Sequence, residues 1–301
     1  MSAFSADWLS LRESYDRAAR NPAVLDAVAN AFVDQGTIAI VDLACGTGST
    51  LRALGAHLPP HQTWRLVDND LSLLARASAA HVPAISALRT RVFDALWWTP
   101  VRRQGHAPLK DSGRPPHLTI VAKPLDLARD LELALEAPLD LVTTSALLDL
   151  VSAEWLDRLI VEAAARRLPV YAALSYDGRT VVEPQEPLDS EILAGFDAHQ
   201  RTDKGFGPAL GPGAAARAVE RFEHFGFAVG QGRSDWVLGP DDHAIQDALF
   251  AGWAEVAAVT TTLTSDRITR WLGARREHLA AGRSRLRVGH ADLFASPIGM
   301  R

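Results

Sequence analysis

The chain has 301 residues, of which 48% are hydrophobic and 22% charged, the make-up of a soluble globular protein that can bury at least one full core. Its formal net charge is -5, and Lys and Arg are scattered among Asp and Glu, so no basic field favours a nucleic-acid backbone. The single cysteine, Cys45, excludes an internal disulfide, and no apolar run approaches the length of a membrane span. We therefore expect a cytoplasmic protein whose partners include neither nucleic acid nor a membrane.

The N-terminal residues 6–33 predict two amphipathic helices, because Trp8, Leu11 and Tyr15 recur at helical spacing. Two interpretations of this segment stay open. Tyr15 and Arg20 are candidates to fold over a ligand, and simple docking of the first helix through Trp8 and Leu11 explains the same pattern.

Strands and helices then alternate along the chain. The run TIAIVDL (residues 37–43) is typical of a strand buried on both faces, and a helical pattern follows it. The same order recurs in TWRLVD with LSLLARASAAH, HLTIVAK with LARDLELAL, LDLVTTS with AEWLDRLIVEAAARR, and finally PVYAALSY. This alternation predicts a parallel sheet covered on both faces, a doubly wound α/β fold, with an irregular excursion over residues 97–117.

The pattern changes after the fifth strand. Residues 177–214 are rich in Gly, Pro and charge, and they predict a long loop without a strand or a long helix. FAVGQGRSDWVL then predicts a strand, residues 241–281 two helices, and SRLRVGHADLF a last strand. We expect residues 1–35 to form a helical cap on one domain that spans residues 36–301.

A glycine turn follows the first strand, in the stretch VDLACGTGS. Gly46 and Gly48 are present, but the third glycine of a dinucleotide fingerprint is replaced by Leu51, and no lysine stands near as a phosphate loop would need. Asp42 at the strand end would repel a pyrophosphate and attract a ligand that carries positive charge. S-adenosylmethionine is such a positively charged ligand, because its reactive end carries a sulfonium and an ammonium.

Two acids follow the second strand, in RLVDND. Asp68 lies about twenty residues beyond the glycines, where an acid can accept both hydroxyls of a ribose. Asp70 is expected to cap the helix that follows.

At this point the sequence resembles the class I (Rossmann-like) S-adenosylmethionine-dependent methyltransferases over roughly residues 38–176. VDLACGTGS is similar to that family's first motif, and Asp68 to its ribose-binding acid. PLDLARDL resembles the adenine-contacting segment, which implies that Asp126 and Leu127 lie beside the base, although Asp126 is also a candidate helix cap. LDLVTTSALLDLVS resembles the motif that lines the cofactor's reactive end.

Within this last motif, Ser145 is the residue that we expect on the ligand side, because ligands meet the C-terminal ends of parallel strands. Ser152 is expected to cap the next helix, and Asp149 to face solvent.

The resemblance implies a seven-stranded, mostly parallel sheet with an antiparallel last strand and N-terminal helices. The chain departs from the family's topology through a helical insertion near the C-terminus, residues 241–281, in place of a short hairpin. That insertion and the 177–214 loop are the expected walls of a site for the methyl acceptor.

The candidate general base lies in FDAHQRTDKGFGPALGP, residues 196–212. In this fold the segment follows the fifth strand, near the cofactor's reactive end, although a solvated loop is the simpler interpretation of a charge run. His199 is the candidate base, and Asp203 or Lys204 would orient an acceptor. The ten histidines of the chain show no zinc-ligand spacing, so we expect no dedicated metal site.

The sequence thus predicts a methyltransferase that uses S-adenosylmethionine and acts on a small molecule. Two alternatives stay open: a non-catalytic protein that binds S-adenosylmethionine or S-adenosylhomocysteine, and an NAD(P)-dependent oxidoreductase. The sequence specifies neither the acceptor nor the oligomeric state.

Overall fold

The computed structural model describes residues 5–79 and 117–299, so that the excursion predicted for residues 97–117 lies outside the described residues except at its last position. Eight strands are present in the described part. They are β1 (Thr37–Leu43), β2 (His61–Asp68), β3 (His117–Pro124), β4 (Leu141–Ser145), β5 (Val170–Glu183), β6 (Phe227–Arg233), β7 (Trp236–Leu238) and β8 (Arg285–Pro297).

The described helices alternate with these strands as far as β5. They are α1 (Ala6–Ala19), α2 (Pro22–Ala31), α3 (Ser49–Leu54), α4 (Leu71–Ala79), α5 (Leu131–Ala134), α6 (Ala153–Arg166), α7 (Asp189–Gln200), α8 (Ala214–His224), α9 (His243–Thr260) and α10 (Ser265–Ala280).

The strands form one sheet in the order β3-β2-β1-β4-β5-β8-β6, and the short β7 pairs with a further part of β8. β1 to β5 are parallel, and β8 runs antiparallel to β5, β6 and β7. The predicted doubly wound, mostly parallel sheet with an antiparallel last strand is confirmed, and β7 is an additional short strand.

Helices cover both faces of the sheet because successive side chains of a strand point to opposite sides. On β1, Val41 and Leu43 pack into a core with α5, α6 and α8, whereas Ile38 and Ile40 pack into a second core with α2, α3 and α4. Asp42 lies between Val41 and Leu43 in sequence, so its side chain faces the second core.

The prediction of a structureless loop over residues 177–214 is wrong. β5 continues to Glu183 because its C-terminal half pairs with β8, where Thr180 lies opposite Val288. α7 then forms, with Ile192 buried in a third core between α9, α10 and the paired ends of β5, β7 and β8. Long-range pairing and packing override the local Gly, Pro and charge composition here.

Two further predicted elements differ in extent. The helix expected over LARDLELAL is reduced to α5, because Asp126 instead forms a tight turn in which its Oδ1 accepts a hydrogen bond from the Ala128 N–H (3.0 Å). The strand expected over FAVGQGRSDWVL bends between β6 and β7, where the Ser234 N–H donates to the His290 carbonyl (2.9 Å). The two C-terminal helices are found as predicted, within residues 241–281.

Ser152 is confirmed as the cap of α6, since its Oγ accepts a hydrogen bond from the Trp155 N–H (3.2 Å). Ser152→Ala is expected to lower the free energy of unfolding by about 1 kcal/mol, because it leaves that buried N–H without its acceptor. Urea unfolding measures the loss, and Ser152→Thr, which keeps a capping hydroxyl, should recover part of it. An alanine variant as stable as the wild type would contradict this account of the helix start.

Candidate active site

The candidate site lies at the C-terminal edge of β1, β2 and β4. The sheet order reverses between β1 and β4, and ligands of open α/β sheets bind in the crevice at such a point. In the register, Leu43 at the end of β1 lies beside Val67 and Thr144. Asp68 comes directly after Val67, and Ser145 directly after Thr144. The structure therefore brings both residues to the edge where the glycine turn begins.

The glycine turn is fixed by hydrogen bonds to the end of β2. The Gly46 N–H donates to Asp68 Oδ2 (2.9 Å), and the Asp70 N–H donates to Asp68 Oδ1 (3.0 Å). Ala44, Gly46 and Gly48 have left-handed φ angles of 53°, 54° and 82°, a conformation that favours glycine. Asp68 therefore holds the turn in place, and each of its carboxylate oxygens has a second lone pair with which to accept from a ligand.

Asp70 caps α4 as predicted. Its Oδ1 accepts hydrogen bonds from the N–H of Ser72 (2.8 Å) and of Leu73 (3.2 Å). Asp68 and Asp70 thus have separate functions although only Asn69 lies between them.

Asp42 lies fully buried beneath the glycine turn. Its Oδ1 accepts a hydrogen bond from the Thr143 hydroxyl (2.9 Å), and the Thr50 hydroxyl of α3 also acts to lower the pKa of this carboxyl group. Burial raises the pKa of Asp42 to about 7, although the Thr143 hydroxyl and the guanidinium of Arg20 act in the opposite direction. A neighbouring positive charge would stabilise the ionised form of this carboxyl group.

Arg20 reaches the same edge from the residue that ends α1. Its side chain is 1% exposed, with Nη1 donating to the Tyr171 hydroxyl (3.0 Å) and Nη2 lying 3.4 Å from Ser145 Oγ. Nε has no partner among the described residues. The structure therefore brings together Arg20 and Ser145, which the sequence placed on the ligand side independently of each other.

The N-terminal helix α1 covers the glycine turn. A Cβ atom added to Gly46 would lie 3.1 Å from Leu9 Cδ1. The Glu13 carboxylate pairs with the Arg52 guanidinium of α3, with Nη2 2.7 Å from Oε2. These contacts set α1 directly above the turn.

The opposite face of α1 docks on the third core. The Trp8 ring lies 6.3 Å from the Trp236 ring, and the Tyr15 hydroxyl donates to Asp242 (2.8 Å). Docking through Trp8, one of the two interpretations of this helix, is therefore observed. Tyr15 contacts α9's cap residue Asp242.

The two predicted adenine-contacting residues differ in exposure. Asp126 is part-exposed in its turn, whereas the Leu127 side chain is buried in the first core and its carbonyl accepts a hydrogen bond from Trp155 Nε1 (2.6 Å). Their contact with a base stays a prediction.

His199 lies in the last turn of α7 and not in a loop as predicted. Its Nδ1 is 3.1 Å from Lys204 Nζ, and burial together with the charge of Lys204 lowers the pKa of the imidazole. Asp203 Oδ1 accepts the N–H groups of Gly205 (2.7 Å) and Gly207 (3.0 Å), so this carboxylate stabilises the turn after α7. The role of His199 as a base stays a prediction.

The expectation that Asp149 faces solvent is wrong. Asp149 is 5% exposed, and its Oδ1 has no hydrogen-bond partner within residues 5–79 and 117–299. Burial raises its pKa to about 6, against the effect of nearby backbone N–H groups and of Arg12 on α1. The pattern ALLDL does not predict this burial, because aspartate is almost never fully buried unless it is paired.

His290 on β8 is a second buried polar side chain that the sequence did not single out for the site. It is 5% exposed, and its Nδ1 has no partner in the described part of the chain. Burial, followed by the charge of Arg12, lowers its pKa to about 3, so the imidazole is neutral at physiological pH. Arg12 thus acts on both Asp149 and His290.

Within the described ranges, no group of three or more His, Cys, Asp or Glu side chains is placed to hold a metal ion. None of the described helices has the length and apolar character needed to cross a membrane.

No protein-family model matches the sequence, and no curated protein matches it. The chain is similar to several solved structures. A cyclopropane-fatty-acyl-phospholipid synthase-like protein from Lactobacillus casei has a TM-score of 0.47 at 14% identity, covering 97% of this chain and 94% of that one. A methyltransferase from Thiobacillus denitrificans, solved with S-adenosylhomocysteine, has a TM-score of 0.42 at 12% identity, covering 97% and 99%.

The strand order, the antiparallel β8 and the glycine turn after β1 give this chain the Rossmann-like methyltransferase fold. The fold alone does not specify an activity, because function depends on the residues of the site.

Proposed function

We propose that this protein is an S-adenosylmethionine-dependent methyltransferase that acts on a small molecule. The observation that carries the proposal is the glycine turn: Gly46 is hydrogen-bonded to Asp68, and the buried Asp42 lies beneath the turn. Glycines allow close approach of a ligand to the backbone, and Asp68 would accept the ribose hydroxyls.

The residues around the turn fit this cofactor. The ionised form of the buried Asp42 suits a cationic neighbour better than a phosphate, and such a neighbour would lower its raised pKa. Arg20 and Ser145 would face the methionine end, and Asp126 and Leu127 the adenine. When bound, S-adenosylmethionine supplies a methyl group on a sulfonium.

Methyl transfer is an in-line displacement, so positioning and the exclusion of water supply much of the catalysis. α1 lies over the glycine turn through Leu9 and is tied to α3 by the Glu13–Arg52 ion pair. This arrangement supports a site closed over its cofactor. A small acceptor suits it, with α1, α7 and the α9–α10 pair as proposed walls of the acceptor site.

Calorimetry with S-adenosylmethionine and with NAD tests the choice of cofactor. We expect binding of S-adenosylmethionine and little binding of NAD; the reverse result would favour an oxidoreductase. Transfer of label from methyl-labelled S-adenosylmethionine to a metabolite extract tests the activity. Tight binding without transfer to any acceptor would favour a non-catalytic binding protein.

A further inference from the structure

We infer that the methyl acceptor binds between α1 and the ends of β4 and β5, and that the Asp149 carboxylate receives its proton. The acceptor would then be an amine or a hydroxyl compound and not a carboxylic acid. This inference rests on the proposed methyltransferase activity, and it goes beyond it by naming the acceptor class and the base.

The Asp149 side chain is buried with incomplete hydrogen bonding. Buried carboxyl groups normally use both oxygens in hydrogen bonds, and each exception needs an explanation. The Asp149 carboxylate accepts backbone N–H groups, among them that of Tyr176, but its Oδ1 has no partner within the described residues, and the residue is more than nine-tenths buried. A ligand that donates a hydrogen bond would satisfy it.

Asp149 lies close in sequence to the end of β4. Asp149 follows Ser145 by four residues, at the same edge of the sheet as the glycine turn. Arg12, whose charge acts on Asp149, lies three residues after Leu9 on α1, and Leu9 contacts the glycine turn. Three residues of helix span roughly 5 Å, so the charge that acts on Asp149 comes from a part of α1 about one turn beyond the contact with the glycine turn.

The charges around Asp149 determine which acceptor it would tolerate. The Arg12 guanidinium is engaged by Asp16 through two hydrogen bonds of 2.9 and 3.2 Å, so its charge is already paired. An acidic acceptor would meet the unpaired Asp149 carboxylate and be repelled. A group with an N–H or O–H would instead donate to it.

Aromatic rings pack against each other in the neighbouring part of the third core. The Tyr176 ring lies 6.2 Å from the His290 ring and 5.5 Å from the Phe196 ring, and the Trp236 ring lies 4.9 Å from His290. His290 offers a neutral ring nitrogen without a partner among the described residues. An acceptor with an apolar body would contact the edge of this cluster, with its nucleophile towards Asp149.

The proposed methyl transfer breaks one bond for each bond that it forms. A lone pair on the acceptor nitrogen or oxygen forms a bond to the methyl carbon, the carbon–sulfur bond breaks, and its electron pair stays on sulfur. The proton of the N–H or O–H passes to the Asp149 carboxylate and then exchanges with solvent.

The pH dependence follows from the charge state of Asp149, which must be ionised to take a proton. The charge of Arg12 on α1 acts on it, and the charges of Arg12, Arg179 and Asp235 act on the neighbouring His290. We expect kcat/KM to rise with pH and to level off above a pKa near 6. The rising limb should disappear in Asp149→Asn.

The decisive experiment compares Asp149→Asn with His199→Asn, the variant of the rival base. Asp149→Asn should lower transfer to the metabolite-extract acceptor by about 100-fold or more, the range of a lost general base, and His199→Asn by less than about 5-fold. Calorimetry with S-adenosylhomocysteine should give unchanged affinity for both variants. The labelled product should survive mild alkali, which hydrolyses methyl esters but not N-methyl or O-methyl ether groups.

Several results would overturn the inference. An alkali-labile product would show a carboxylic acid acceptor, and full activity in Asp149→Asn with loss in His199→Asn would identify the other base. Loss of S-adenosylhomocysteine binding in Asp149→Asn would show that the residue acts on the fold or the cofactor. Failure of the wild type to transfer label at all, with the cofactor bound, would instead overturn the proposed function itself.

Discussion

Asp68→Ala is expected to raise the Kd for S-adenosylmethionine by about 1000-fold. Two hydrogen bonds from ribose hydroxyls to a carboxylate contribute about 2 kcal/mol each, and tenfold in affinity corresponds to about 1.4 kcal/mol. The variant also removes the acceptor of the Gly46 N–H, so the turn itself loses a hydrogen bond of 2.9 Å. Isothermal titration calorimetry with S-adenosylmethionine measures the change.

Asp70→Ala is the matched control for this prediction. Asp70 lies two residues away and caps α4 through its Oδ1. Its loss should lower the free energy of unfolding by about 1 kcal/mol and leave the Kd within about threefold of the wild type. Equal affinities for the two alanine variants would show that Asp68 acts on the turn alone and contacts no ribose.

The sequence predicted those parts of the protein that depend on local patterns. β1 to β4, the glycine turn and the caps at Asp70 and Ser152 each occupy a short stretch in which periodicity or a capping residue determines the structure. Asp68 contacts the turn because the parallel register of β1 and β2 places the ends of both strands at one edge.

The parts that the sequence did not predict depend on contacts between distant residues. β5 extends to Glu183 because it pairs with β8, whose partner residues begin at Arg285, about a hundred positions later in the chain. The burial of Asp149 likewise depends on packing against β5, whose Tyr176 backbone N–H contacts its carboxylate. No local pattern records such contacts, and the proposed acceptor site consists mainly of them.

Gly46→Ala is expected to weaken binding of S-adenosylmethionine by about 100-fold, or about 2.7 kcal/mol. Gly46 has a φ of 54°, and its backbone is part of the surface that the methionine portion would approach. A methyl group there takes the space of the ligand and strains the left-handed backbone. Calorimetry measures the binding, and thermal unfolding measures the strain.

Two control variants separate the possible causes of that loss. Gly282→Ala has a similar φ of 64° with open space around it, so it should show the same loss of stability, about 1 kcal/mol, with normal binding. The Gly46 Cβ would also approach Leu9 Cδ1, at 3.1 Å, so Leu9→Ala combined with Gly46→Ala removes that clash. If the cofactor meets the backbone at Gly46, this double variant stays as weak as Gly46→Ala; recovery of binding would mean that displacement of α1 was the cause.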